Sequence, residues 1–242
     1  MKLKTFITSN FTLLVLLLVS VFYMNCQSEK QETQIKESPQ LTKTDVIETT
    51  GLIFNFNDYK SGNLPDNWGT AMTGKGKPGK WEIVTDETET GQSKVLAQTS
   101  MENFGYHFDI AVAKDTNFKD LFLTVKFNAI DGEEDQGGGP VWRYQDADNY
   151  YIARANPLES NFRVYKVING NRKQLKSYNL PITSGQWHTI QIEHIGTHIK
   201  CYYDGQLCLE VDDETFTAPG KIGVWTKADS YCCFDDFTIE EK

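Results

Sequence analysis

The chain has 242 residues, with 33 acidic side chains against 24 Lys and Arg, so its formal net charge at neutral pH is −9. An acidic surface repels nucleic-acid phosphates and anionic lipid headgroups, and the sequence contains no basic run, P-loop or glycine-rich dinucleotide turn. These features exclude nucleic acid as an expected partner. Because both nucleotide-binding motifs are missing, we expect no cofactor, with a structural calcium ion as the one exception considered below. The length would hold one large β-sandwich or two small domains.

The N-terminal segment has the organisation of an export signal. Lys2 and Lys4 precede an apolar run over residues 11–24, and Cys26 follows it. The run is short for a membrane-spanning helix, and a basic start before a short apolar stretch is typical of a signal peptide. The segment resembles a bacterial lipobox, which implies a signal peptide over residues 1–25 and lipidation of Cys26. An uncleaved membrane anchor is the alternative.

The next segment, residues 26–50, is dominated by Gln, Glu, Lys, Ser and Thr, and apolar residues do not recur there at a helical or strand period. Such a composition predicts a disordered tether. We therefore expect a lipid-anchored protein of the cell envelope, held in the outer membrane and facing the periplasm or the outside. It would touch the membrane through its N-terminal lipid only.

From residue 51 onward, short runs rich in β-branched and aromatic residues alternate with turn signals, which is typical of strands. The predicted strands cover residues 52–56, 81–84, 93–98, 106–111, 121–129, 141–144, 150–155, 162–167, a three-stranded meander over 187–211, and then 221–226 and 231–239. Residues 60–79 are predicted to form a loop. No segment shows a sustained helical period, so we predict one all-β domain over residues 51–242.

Two turn signals, Asn169-Gly170 and Asp204-Gly205, predict hairpins, because the central residues of a two-residue turn need a positive φ. The strand pairs that they predict are Val167 with Arg172 and Tyr203 with Gln206. The second register would set Cys201 opposite Cys208. Four cysteines follow the tether: Cys201, Cys208, Cys232 and Cys233. An even number in an exported protein is compatible with disulfides, and buried free thiols are the alternative.

Three blocks carry a resemblance to a known superfamily. They are WHTIQIEHIGTHIKCYYDGQ (187–206), GGGPVWRYQDADNYYIARANPLESNFRVYKVINGNRKQL (137–175) and GKIGVWTKADSYCCFDDFTIE (220–240). The first resembles the W-x-x-I-x-I…G…I…DG segment of laminin-G-like and concanavalin A-like jelly rolls. The others resemble bacterial domains grouped with the 3-keto-disaccharide hydrolases or called family 16 glycoside-hydrolase-like. The resemblance implies two stacked antiparallel sheets, one of them concave, that bind or cleave glycans.

Retaining glycosidases of this fold carry their acids on one strand in the pattern E-x-D-x-x-E, so that two carboxylates flank one glycosidic bond. Neither candidate segment fits this pattern. Residues 133–135 (EED) run into glycines, and residues 212–214 (DDE) are predicted to form a turn after a strand. We therefore predict a glycan-binding module without catalysis. The alternatives are a glycoside hydrolase that acts on keto-disaccharides or polysaccharide, and a surface adhesion or structural module.

Glycan binding requires aromatic faces and planar polar groups. Long cations and aromatic residues on neighbouring predicted strands supply both, and we expect them to line a concave face. The predicted glycan-binding residues are Arg143, Arg154, Tyr165, Trp225 and Lys227. In the alternative interpretation the aromatic residues fill the core and the cations are solvated.

A calcium ion takes carboxylate and carbonyl oxygens. Asp58 follows the first predicted strand, and Asp235 and Asp236 lie on the last. Because first and last strands are often neighbours in such sandwiches, these three residues are candidate calcium ligands. The alternative is an acidic, solvated sheet edge that discourages aggregation.

Overall fold

The structure is a computed structural model that describes residues 51–87 and 93–242. The predicted signal peptide, Cys26 and the tether over residues 26–50 lie outside the described residues. The described residues form fifteen strands and no α-helix. No helix in this part of the chain is long and apolar enough to span a membrane.

The strands form two antiparallel sheets. In chain order they are β1 (Leu52–Phe54), β2 (Trp68–Gly74), β3 (Trp81–Thr85), β4 (Lys94–Gln98), β5 (His107–Ala113), β6 (Leu121–Asp131), β7 (Gly138–Asp146), β8 (Asn149–Asn156), β9 (Asn161–Ile168), β10 (Asn171–Asn179), β11 (His188–Ile195), β12 (His198–Tyr203), β13 (Gln206–Asp212), β14 (Lys221–Lys227) and β15 (Tyr231–Glu241). The eight-stranded sheet has the order β13-β12-β11-β6-β15-β4-β3, with β1 paired to β15. The seven-stranded sheet has the order β10-β9-β8-β7-β14-β5-β2. This arrangement confirms the predicted jelly-roll sandwich.

The main core lies between the sheets and follows from strand alternation, because successive side chains point to opposite faces. On β6, Leu121, Leu123, Val125 and Phe127 are buried, while the residues between the first three are partly exposed. The other strands contribute in the same way, and the buried cluster draws on both sheets. Burial of apolar area stabilises the fold by roughly 25 cal/mol per Å².

A hydrogen bond crosses the core from one sheet to the other. The Nε1–H of Trp142 on β7 donates to Nδ1 of His194 on β11 over 2.8 Å, and the indole stacks on Tyr151 at 5.6 Å between ring centres. His194 is in phase with Ile190 and Ile192 and is fully buried. Burial, together with the nearby charge of Arg143, lowers the pKa of His194 to about 3.

One strand was missed by the sequence analysis. Strand β2 lies within residues 60–79, which we predicted to be a loop, and it pairs with β5 along its whole length, from Trp68 opposite Ala113 to Gly74 opposite His107. Its composition of small and polar residues is a poor strand signal. Trp68 nevertheless anchors it, because the indole is buried against Phe54.

Both predicted hairpin pairs are confirmed, but the register that would align two cysteines is wrong. Arg172 lies opposite Val167, and Gln206 lies opposite Tyr203. A register shift next to Cys201 then places it opposite Leu209 instead of Cys208. All four cysteines after the tether, Cys201, Cys208, Cys232 and Cys233, are free thiols. The structure therefore favours the alternative of free thiols.

The buried imidazole predicts a pH dependence of stability. The unfolded chain binds a proton on His194 below pH 6.5, whereas the folded chain binds it only near pH 3. The contribution of neutral His194 to the free energy of unfolding is therefore complete above pH 6.5, and it is lost as the pH falls from 6.5 towards 3. In urea unfolding between pH 6.5 and 5, we expect His194→Gln to flatten the loss of unfolding free energy by up to about 1.4 kcal/mol per pH unit.

A matched control is His198→Gln. His198 is exposed and pairs with Asp212 and Glu210. These hydrogen bonds raise its pKa, so its contribution has the opposite sign and is lost as the pH rises. An unchanged slope in His194→Gln would show that the imidazole is not the group that destabilises the fold on mild acidification.

Candidate functional site

The candidate site lies on the face of the seven-stranded sheet that points away from the main core. Neighbouring strands are about 4.8 Å apart, so a flat sheet would separate edge strand β10 from β5, five positions along, by about 24 Å. The guanidinium carbon of Arg172 on β10 nevertheless lies 4.8 Å from the ring centre of Phe108 on β5. The sheet is therefore strongly curved, and this face is concave.

Aromatic side chains form the floor of this concave face. The buried cluster on it consists of Phe108, Ile110, Val112, Val141, Tyr150, Ile152, Tyr165, Val167 and Trp225. The Nε1–H of Trp225 donates to the hydroxyl of Tyr150 at 3.2 Å, and that hydroxyl also bonds to Thr73 on β2 at 2.8 Å. The floor is therefore fixed by buried hydrogen bonds as well as by packing.

A loop before β5 crosses the concave face and carries two exposed aromatic rings, Phe104 and Tyr106. The backbone N–H of Gly105 donates to both carboxylate oxygens of Glu134 at 2.9 Å. The hydroxyl of Tyr106 donates to the carbonyl of Gly170 at 2.8 Å and accepts from the N–H of Arg172 at 2.6 Å. The Tyr106 ring is thus held in place while 48% of the residue remains accessible.

Tyr106 was predicted to begin a strand, and not to lie in a loop that reaches the β9–β10 turn across the concave face. The only available signal was the aromatic pair at 104 and 106 beside a glycine, and such a pattern is common at strand ends. Its position becomes evident from the contact between the loop and the β9–β10 turn, which is far away in the chain.

Charged side chains form one end of the concave face, around the buried carboxylate of Asp135. Lys227 donates to Asp135 Oδ2 at 2.7 Å, and Nη1 of Arg154 lies 3.6 Å from the same oxygen. The other oxygen, Oδ1, accepts from the N–H of Gly137 at 2.7 Å and from Asn156 at 2.9 Å. Because buried charges are costly unless paired and hydrogen-bonded, this network explains how the carboxylate is tolerated.

Arg154 is 1% exposed and binds a second carboxylate. Its Nη1 and Nη2 donate to the two oxygens of Glu159 at 3.2 and 2.8 Å. These bonds lower the pKa of Glu159 to about 2 against the opposing effect of its partial burial. The Nε of Arg154 is buried and has no hydrogen-bond partner among the described residues.

The close approach of these groups depends on glycine. A Cβ on Gly137 would lie 2.5 Å from Oδ1 of Asp135 and 2.8 Å from Cδ of Arg154. A Cβ on Gly138 would lie 2.6 Å from the ring of Phe127. A side chain at position 137 would therefore push the carboxylate and the guanidinium out of the network, and one at position 138 would displace Phe127 of the main core.

Four of the five predicted glycan-binding residues lie on the concave face: Arg154, Tyr165, Trp225 and Lys227. Trp225 is fully buried, because the guanidinium of Arg172 covers it at 5.7 Å from the ring centre. Trp225 therefore contributes to the floor and has no open face for a sugar. Tyr165 lies under both guanidinium groups, 5.9 Å from that of Arg154 and 4.7 Å from that of Arg172.

The predicted placement of Arg143 on this face is wrong. A β-bulge sets Trp142 and Arg143 together between the pairs Val141–Gly223 and Tyr144–Lys221, so strand alternation is interrupted. Arg143 has a φ of 44° and is buried, and it donates to the carbonyls of Lys119, Phe216 and Gly196 and to Asp120. It ties loops together at one end of the sandwich.

The candidate calcium ligands do not form a cluster. Asp236 makes an ion pair with Lys126 at 2.7 Å. Within residues 51–87 and 93–242, no group of three or more His, Cys, Asp or Glu side chains is arranged to hold a metal ion. Calcium binding through Asp58, Asp235 and Asp236 stays a prediction.

The two antiparallel sheets, one of them curved, define a jelly-roll β-sandwich domain. A sequence profile for the 3-keto-alpha-glucoside-1,2-lyase-like domain matches residues 51–240. The chain therefore belongs to this glycan-related family, as the resemblance implied. The finer likeness to family 16 glycoside hydrolases stays a prediction.

Individual proteins are similar to the chain in sequence or in fold. The chain is 27% identical over 153 residues to the levanase of Bacillus subtilis (strain 168), which is 62% of this chain but 20% of the levanase. The carbohydrate-binding module CBM66 from Bacillus subtilis has a TM-score of 0.57 at 20% identity, over 72% of this chain and 96% of the module. The Emp47p carbohydrate recognition domain has a TM-score of 0.54 at 14% identity, over 80% of this chain and 96% of that domain. At these identities the structures show a shared fold.

Proposed function

We propose that this protein binds glycan on the concave face of its seven-stranded sheet. The observation that carries the proposal is the position of Tyr106, an exposed aromatic ring held by two hydrogen bonds beside the charged groups of Arg172 and Glu134. The apolar face of a pyranose stacks on such a ring, and planar charged groups bind its hydroxyls. The names of the similar structures, a carbohydrate-binding module and a carbohydrate recognition domain, support the same function.

The structure favours a groove that is formed before the ligand arrives. The loop that carries Tyr106 is tied to Glu134 on one side and to the β9–β10 turn on the other, so little ordering is left for the moment of binding. A preformed site of this kind reduces the entropy lost on association. Both carboxylate oxygens of Asp135 below it accept hydrogen bonds, which keeps this carboxylate in one arrangement.

Truncation of the exposed ring provides the test. We expect Tyr106→Ala to weaken binding to the best glycan of an array by about ten-fold, which corresponds to ~1.4 kcal/mol, because aromatic anchors dominate interface energies. Tyr106→Phe keeps the ring and removes only the bonds to Gly170 and Arg172, so it should retain most of the affinity. Isothermal titration calorimetry on the full chain measures the dissociation constants of both variants and of the unmodified protein.

The matched control is Tyr202→Ala. Tyr202 is a partly exposed tyrosine on β12, in the other sheet, where it contacts Phe122. Its truncation should leave glycan affinity within about two-fold of the unmodified chain, since it lies outside the groove. Failure of the unmodified chain to bind any glycan on the array, with or without calcium, would overturn the proposal.

Family membership favours a second candidate function, cleavage of a 3-keto glucoside. In a 1,2-lyase step a base removes the proton at C2, which the neighbouring carbonyl acidifies. The C1–O bond then breaks as a C1–C2 double bond forms, and a proton is delivered to the leaving oxygen. Glu134 and Glu159 are the partly exposed carboxylates at the charged end of the groove. The bonds from Arg154 and Asn161 lower the pKa of Glu159 and make it a weak base, so Glu134 is the better candidate for proton removal.

Product analysis separates cleavage from binding. If the protein is a binding module only, incubation of the full chain with 3-keto disaccharides should leave them intact by liquid chromatography. Release of a monosaccharide that is abolished in Glu134→Gln but kept in Glu133→Gln would replace the binding proposal with the lyase. Glu133 is the neighbouring exposed acid, and so it controls for the loss of one charge.

We also propose that the protein is exported and anchored to the cell envelope through a lipid on Cys26. The support is the basic start, the short apolar run and the cysteine that follows it. Residues 27–50 would then connect the lipid anchor to the glycan-binding domain. A free acidic domain on such a tether would stay clear of anionic headgroups.

Metabolic labelling tests the anchor. Growth of an expressing bacterium with a radiolabelled fatty acid should label the unmodified chain and not Cys26→Ser. Cys208→Ser is the control, because Cys208 is a partly exposed thiol in the folded domain and should not affect labelling. Equal labelling of the Cys26→Ser variant would contradict lipidation at that residue.

A further inference from the structure

Among residues 51–87 and 93–242, the guanidinium of Arg172 has no acidic partner, and it lies over the aromatic floor of the concave face. Its guanidinium lies on the rings of Tyr165 and Phe108, at 4.7 and 4.8 Å from their centres. Within the part of the chain that the structure describes, no carboxylate forms an ion pair with it, although Asp135 pairs with both Arg154 and Lys227. Its Nη1 is buried and lacks a hydrogen-bond partner. Burial lowers the pKa of Arg172, and the nearby charge of Arg154 lowers it further, while Asp135, Tyr165 and Tyr106 act in the opposite direction.

A second unpartnered donor lies near the first. The Nε of Arg154, a residue that is 1% exposed, has no acceptor, and its guanidinium flanks the same Tyr165 ring at 5.9 Å. Two like charges on one aromatic ring repel each other, and buried donors without acceptors are costly. The repulsion between the two guanidinium groups falls when an anion binds at Arg172. Arg172 is partly exposed, so a ligand can reach it without opening the sheet.

From this arrangement we infer that the bound glycan is acidic, and that the carboxylate of a uronate residue pairs with Arg172. This inference rests on the proposed glycan-binding function and specifies its ligand. A guanidinium binds a planar carboxylate through two parallel N–H···O bonds, and its stacking on Tyr165 and Phe108 fixes the plane of that fork. Tyr106 holds the backbone of Arg172, so the sugar ring would stack on Tyr106 while its carboxylate reaches the guanidinium.

The negative net charge of the chain means that an acidic ligand needs a local positive charge. At −9 the protein as a whole repels polyanions, so an acidic glycan binds only where local cations outweigh this field. Arg154 and Lys227 are largely neutralised by Asp135 and Glu159. Arg172 is left as the local positive charge that the acids of the groove do not neutralise.

The test compares matched glycans on the full chain. Oligogalacturonate and the galactan oligosaccharide of equal length, together with other uronate, neutral and sulfated pairs on an array, serve as probes. We expect each bound uronate to be preferred over its neutral counterpart by about ten-fold in Kd, with the preference falling as salt rises. Arg172→Gln should abolish the preference, so that each uronate glycan and its neutral counterpart bind with the same Kd.

Lys173→Gln is the matched control, because it removes the same charge from the neighbouring, exposed residue of β10, and it should keep the preference. Equal binding of uronate and neutral glycans, or a preference that survives Arg172→Gln, would overturn the inference and leave glycan binding standing. Stronger binding of sulfated than of uronate glycans would overturn the claim that the anionic group bound by Arg172 is a carboxylate. Absence of binding to every probe would overturn both proposals. If Arg172→Gln does not fold, the salt dependence of uronate against neutral binding by the unmodified chain decides the matter.

Discussion

The curvature of the seven-stranded sheet is the constraint on which the candidate site depends. It brings edge strand β10 over β5, so that Arg172 stacks on Phe108 and on Trp225 from strands that a flat sheet would hold far apart. It also lets Tyr106, in the loop before β5, bond to the β9–β10 turn. Without the curvature the same side chains would lie on a broad open surface, and neither the aromatic floor nor the groove would exist.

Local departures from regular strand geometry accompany this curvature. The bulge at Trp142 and Arg143 turns both side chains to one side, and a second register shift lies between Gln174 and Lys176 on β10. Bulges bend a strand and increase its twist, which is how open sheets curl. Gly138 and its neighbours let the backbone of β7 pass close to Phe127 and to the Asp135 network. Curvature and charge placement therefore share the same short segment of the chain.

The polar network at the end of the groove has a different character from the aromatic floor. Asp135 is surrounded by donors, whereas Arg172 and the Nε of Arg154 retain unused hydrogen-bonding capacity. A satisfied carboxylate maintains structure, and an unsatisfied cation favours a ligand. Family membership agrees with a role in glycan biology, but one fold hosts both binding and cleavage, so side-chain chemistry must decide between them.

The sequence by itself determined the class of fold, most strand positions, the strand pairs next to the turns at Asn169-Gly170 and Asp204-Gly205, and four residues of the concave face. These follow from alternation and turn chemistry, which act over a few residues. The tertiary structure alone decided that Arg143 is buried elsewhere, that Trp225 is covered and that Tyr106 and Arg172 define the groove. A bulge shifts the alternation of side chains without a clear signal in composition. The curvature of a sheet arises from contacts between strands that are distant in sequence. Local sequence patterns therefore predict neither the bulge nor the curvature.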